Sequence, residues 1–201
     1  DAGSHVALGG GRVELACADV TVLGTLLGDN GAMGVARDFT VAPGAHVDAG
    51  ASVLEVAGTW AQQGSFDAGT SLVRFVDGCA VATGQVLGQT TFAGLEVASV
   101  EGKKWAFEAG ATQTVTQSLQ MFGLPGLPLA IRSTTDGVEA HLDFQGTVQA
   151  TGGLDVQDNH AVGQPLLFGA DSVDSGNTTG WVWSFPAVPA APAVGIAVLA
   201  A

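Results

Sequence analysis

Apolar and polar residues alternate along this chain in short runs, and almost every run stops at a glycine, asparagine or aspartate. Val13, Leu15 and Cys17 fall on one side of the first run, with Glu14, Ala16 and Ala18 on the other. Further runs cover 20–27, 39–41, 46–48, 53–60, 72–76, 91–97, 105–115, 119–122, 129–133, 140–144 and 154–156. A period of two over such lengths predicts β-strands. Gly28-Asp29-Asn30-Gly31, Asp77-Gly78 and Thr134-Thr135-Asp136-Gly137 predict tight turns, because Asn, Asp and Gly tolerate positive φ. No window holds a 3.6-residue apolar period with caps, so little or no helix is expected.

Two short patterns recur. An apolar residue, any residue, then Gly-Thr stands at Val22 to Thr25, Val56 to Thr59 and Phe144 to Thr147. A turn of the form Ala/Pro-Gly-Ala/Thr stands at Pro43, Ala49, Ala68 and Ala109. Their spacing is irregular, which describes a degenerate repeat. Strands of three to seven residues broken by glycine turns suit a solenoid or a sandwich. The expected fold is all-β, a right-handed parallel β-helix, with a β-sandwich as the alternative. Residues 1–185 are assigned to it. Residues 186–201 read as a Pro/Ala linker, stiff by composition, and an apolar tail. The nine residues 193–201 are too few to span a bilayer, which needs about 20.

Composition narrows the functional classes. The 30 glycines among 201 residues are about twice the usual share. Six Lys and Arg stand against 19 Asp and Glu, a net charge of −13. That balance argues against nucleic acid, whose phosphates need clustered cations; Lys103-Lys104 is the one basic pair. It argues equally against docking on anionic membranes. Cys17 and Cys79 either pair, as in an exported protein, or are two buried thiols; the sequence leaves both open.

The most specific stretch is Asp174-Ser175-Gly176-Asn177-Thr178-Thr179-Gly180-Trp181. It follows 91–97, 107–115, 129–133, 146–148 and 154–158 in order. Together these resemble the repetitive β-rich modules of large bacterial secreted and cell-surface proteins, which are adhesin-like and read as right-handed parallel β-helices. The resemblance covers roughly residues 50–185. The tail resembles the start of a bacterial C-terminal sorting signal but has a short apolar run and lacks the basic cluster. The resemblance implies a secreted or cell-surface location and transfers no catalytic residue.

Candidate chemistry is sparse. No Ser-His-Asp order, HExxH, P-loop or dinucleotide fingerprint is present. His5, His46, His141 and His160 lack a metal-like spacing in sequence, and His141 reads as an exposed or satisfied strand residue. Asp155, Asp158 and Asn159, then Asp171, Asp174 and Asn177, offer oxygen ligands suited to Ca²⁺. Asx turns account for them more simply. No catalytic, cofactor-binding or metal residue and no cofactor is assigned. The expected function is structural: a non-enzymatic extracellular protein of a bacterial surface or matrix, forming filaments with copies of itself through solenoid ends and tail. The alternative is a monomeric adhesive module that binds surface glycans through Trp60, Trp105, Trp181 or Trp183. Behind both stands a polysaccharide-active enzyme, in which Asp136, Asp143 and Asp158 would have to converge.

Overall fold

The computed structural model describes residues 5–183; the linker and tail expected at 186–201 lie outside the described residues. Among the described residues there are only strands and turns, with no helix. Every strand pairing is parallel, and the chain winds into a β-solenoid of about 8 turns. The fold class expected from the alternation is therefore the one observed, with the sandwich alternative set aside.

Each turn lays strands on three faces. The first face carries His5–Ala7, Thr25–Leu27, His46–Asp48 and Ser65–Asp67. The second carries Arg12–Val13, Ala32–Ala36, Val53–Val56 and Leu72–Phe75. The third holds eight strands, from Val20–Val22 to Val173–Asp174. Two longer strands, Thr91–Ala98 and Thr112–Phe122, then serve two faces at once. Their first parts lead on to Ala140–Phe144 and Asn159–Gly163, and the second part of Thr112–Phe122 to Val148–Gly152.

The recurrent sequence patterns are the corners. Apolar-x-Gly-Thr joins the third face to the first at Val22–Thr25 and the second to the third at Val56–Thr59; at Phe144–Thr147 it lies between Ala140–Phe144 and Val148–Gly152. One tetrapeptide used at different corners explains its irregular spacing. The run 53–60, which alternates like one strand, is thus two, broken at Ala57-Gly58 into Val53–Val56 and Thr59–Gln62. The Ala/Pro-Gly turns supply the positive φ of the tighter corners. Gly69 has φ of 51°, and a Cβ there would run into the Gly50 carbonyl of the coil before it. Asp48 and Asp67 accept hydrogen bonds from the amides of Gly50 and Gly69 at 3.1 Å each, repeating one Asx turn on successive coils.

Inside, register stacks like on like. Phe39 lies beside Trp60, and Val56 beside Phe75. Phe39 stacks on Trp60 at 4.9 Å between centroids and Phe75 on Trp105 at 4.5 Å, with Phe92 tilted against Trp60 at 5.6 Å. Burying such rings contributes most of the apolar stabilisation of a core this narrow. The Trp60 indole N–H donates to Thr90 Oγ1 at 3.0 Å. Outside, Glu55, Arg74 and Glu96 stand in register, with Arg74 paired to both acids at 3.5 and 3.1 Å.

Two ties run along the axis. Cys17 and Cys79 form a disulfide, 62 residues apart with Cα atoms 5.4 Å from each other. The third-face strands that follow them, Val20–Val22 and Thr83–Leu87, are separated by two intervening strands. At about 4.8 Å per strand those coils lie roughly 14 Å apart. The two loops therefore arch along the outside of the solenoid to meet. Lys103 is the second tie. It is buried, and its Nζ donates to the carbonyls of Ala57 and of Val76, the latter at 3.0 Å, on the corners of two earlier coils. It also lies 5.1 Å over the Trp105 ring. Burial lowers its pKa below the ordinary 10.5, against the opposing pull of Asp77 and Glu101.

Replacing both cysteines with alanine is expected to lower stability by roughly 4 kcal/mol, the loop-entropy value for a closure of this size; urea unfolding of the double variant checks it. Lys103 gives a pH signature. Its folded pKa lies below its unfolded one, so between the two the unfolded chain holds more protons and stability rises with pH. The stability of the wild type relative to Lys103→Met is expected to climb across that window, read from urea midpoints at its two ends. A difference that shrinks as pH rises would mean Asp77 and Glu101 outweigh burial.

Candidate functional site

The residues that could act on another molecule lie at the ends of the solenoid and on one outer face. The first coil places Val6, Leu8, Val13, Leu15, Val20 and Leu23 around an open hollow of about 350 Å³, floored by Leu26 and Met33. In the interior of the solenoid the same inward positions are covered by the next coil. Here Val6, whose counterparts Leu26 and Val47 are buried, is 62% exposed, and Leu23, at the adjoining corner, is 69% exposed. The strands around the rim, His5–Ala7, Arg12–Val13 and Val20–Val22, each have a strand neighbour on one side only among the described residues.

The opposite end is built differently. Leu166–Phe168 pairs with Trp181–Trp183, and Phe168 packs against both Trp181 and Trp183 at 5.1 and 4.6 Å. Trp181 is partly buried and donates from Nε1 to Asn159 Oδ1 at 3.1 Å; Trp183 is 47% exposed. The conspicuous 174–181 motif is the corner that leads into this crown. Asp174 accepts from the Gly176 amide and from Thr178 Oγ1, at 2.9 Å each. Asn177, at φ of 52°, donates to Asp158 Oδ1 at 2.7 Å. A Cβ on Gly180 would meet the Ala161 carbonyl.

The carboxylates are engaged within the fold, Asp155 from a strand and Asp158 and Asp174 at turns. Asp155 pairs with Arg132 at 2.6 Å and accepts from Ser175 Oγ at 2.6 Å. Asp158 takes the Gly137 amide at 3.0 Å as well as Asn177. Asp158 and Asp171 sit at φ of 53° and 58°. Asp143 accepts from Gln145 Nε2 at 2.7 Å, and no hydrogen bond joins it to Asp136 or Asp158. Trp60 and Trp105 are fully buried, which removes them from any exposed aromatic platform and leaves Trp181 and Trp183. The Trp105 indole N–H has no hydrogen-bond partner. All four arginines, Arg12, Arg37, Arg74 and Arg132, pair with carboxylates, and Lys103 is inside. Lys104 is the exposed lysine that remains among the described residues.

The histidines bring the one surprise. His141 and His160 stand in register on neighbouring strands, Ala140–Phe144 and Asn159–Gly163. Their rings meet edge to face at 5.5 Å, and Glu139 joins them so that one ligand atom from each of the three lies within 4.8 Å of the others. Their separation of 19 residues is one coil, a spacing that means nothing in a sequence until the coil length is known. His46 is elsewhere, with Nδ1 at 2.9 Å from Ser65 Oγ. Among the described residues no helix is long and apolar enough to cross a membrane. Compared with protein-family models, curated proteins and solved structures, the chain matches none.

Proposed function

We propose that this chain is an extracellular structural protein of a bacterial surface or matrix, whose copies join head to tail into filaments. The observation that carries the reading is the asymmetry of the two ends. One is an open apolar hollow ringed by three strands and the other is crowned by tryptophan and ends in Val173–Asp174, Thr178–Thr179 and Trp181–Trp183; among the described residues each of these six strands has a strand neighbour on one side only. Free strand edges pair readily with another chain. A contact between unlike ends does not close on itself and propagates as a filament. The hollow has room for several aliphatic side chains, and the apolar run 193–201 follows a Pro/Ala stretch that would act as a semi-rigid spacer. The occupant proposed for the hollow is that run from the next copy.

The disulfide supports an oxidising compartment, where such bonds persist. The solenoid agrees with the adhesin-like, cell-surface resemblance, on which the bacterial assignment rests.

Untagged protein, a variant lacking 186–201, and Leu23→Asp are to be compared by sedimentation velocity, with circular dichroism as the check on folding. Leu23 is exposed, so aspartate there leaves the coil intact while placing a charge in the hollow. The wild type is expected to form large species that grow with concentration, and both variants to stay folded and monomeric. A truncated protein that still polymerises would overturn the role of the tail. A wild type that is monomeric at every concentration would overturn assembly and turn attention to glycan binding at Trp181 and Trp183.

A further inference from the structure

We infer that Glu139, His141 and His160 form a binding site for a divalent transition-metal ion of the zinc class. The site is separate from the hollow; at the other end it reaches the last strand, Thr178–Thr179, through one hydrogen bond to Thr179. It begins with the register of the sheet. His141 and His160 are cross-strand partners in a parallel pair, so their Cα atoms are held about 4.8 Å apart by the backbone ladder. The flanking residues Ala140, Leu142 and Ala161 are buried, while both histidines are half-buried on the outer surface. A rigid sheet therefore presents two imidazoles side by side, with the ring of one turned edge-on to the other. Metal sites built on strands gain from this preorganisation.

Glu139 completes the group. It lies just before the strand that carries His141, and its Oε2 is 3.9 Å from His160 Nδ1. Its other oxygen, Oε1, accepts a hydrogen bond from Thr179 Oγ1 at 3.0 Å. Thr179 is the register partner of His160 on the following strand, so a third rung orients the carboxylate. A carboxylate held by an outer hydroxyl is the usual support for a metal ligand.

Bonds of 2.0–2.1 Å from zinc to nitrogen or oxygen place tetrahedral ligand atoms about 3.3 Å apart. The three ligand atoms lie within 4.8 Å of one another, so side-chain rotation without backbone movement brings them onto one ion. Two imidazoles and one carboxylate favour zinc, cobalt or nickel over calcium or magnesium, which prefer all-oxygen shells. The acidic chain, at −13, raises the local concentration of cations. Water would fill the remaining coordination position.

Equilibrium dialysis of the untagged 201-residue chain against Zn²⁺ tests this, with circular dichroism to confirm folding. The wild type is expected to retain one Zn²⁺ per chain. His160→Ala and His141→Ala are expected to lose it, Glu139→Gln to weaken retention at least tenfold, and His46→Ala to match the wild type. No retention by the folded wild type, or retention unchanged by His160→Ala or by Glu139→Gln, would overturn the assignment.

Discussion

Everything in this molecule answers to one constraint: each coil must lie in register on the coil before it, at the spacing of the backbone ladder, about 4.8 Å. The hydrogen bonds along the axis fix which residue sits over which. An inward residue must therefore fit the residue beneath it as well as the core. Phe39, Trp60, Phe75, Phe92 and Trp105 meet that demand by stacking and tilting against one another. On the outside the same register sets Glu55, Arg74 and Glu96 in a charged row and His141 beside His160. At the corners it brings backbone so close that Gly69 has no room for a Cβ.

A stack held only by neighbour-to-neighbour contacts is quasi-one-dimensional and frays from its ends. Two features reach further. The Cys17–Cys79 disulfide ties the first coil to the fourth, and Lys103 donates to carbonyls of two earlier coils. The disulfide lies toward the end where the hollow is, and the Lys103 tie lies at the middle of the stack. At the other end Trp181 and Trp183 cover Phe168, and Trp181 bonds to the buried Asn159. The solenoid thus packs aromatic side chains at one end and, through the disulfide, staples the other without covering it. The physics that adds one coil to the next is left available at that open end, and the proposed assembly rests on it.

Much of the fold was legible before any coordinates, for identifiable reasons. Period-two alternation marked the strands, and the glycine turns marked the corners, because both are local properties. The run 53–60 misled, since the alternation carries on through the corner at Gly58. The disulfide stayed open because pairing depends on two loops reaching past intervening coils. Trp60 and Trp105 were ambiguous because an exposed platform and a buried column use the same residue type. The Glu139, His141 and His160 group was invisible for a deeper reason: its spacing is set by coil length, which varies along the chain. Asp158 and Asp174 were legible as turn formers and serve as such, whereas Asp155 lies in a strand and pairs with Arg132.

The most direct test of end-to-end assembly is electron microscopy with diffraction on the native, untagged protein at neutral pH. The account predicts unbranched fibres with strands perpendicular to the fibre axis and a repeat along that axis of about 4.8 Å. Dispersed single solenoids, or fibres whose strands run along the axis, would contradict it.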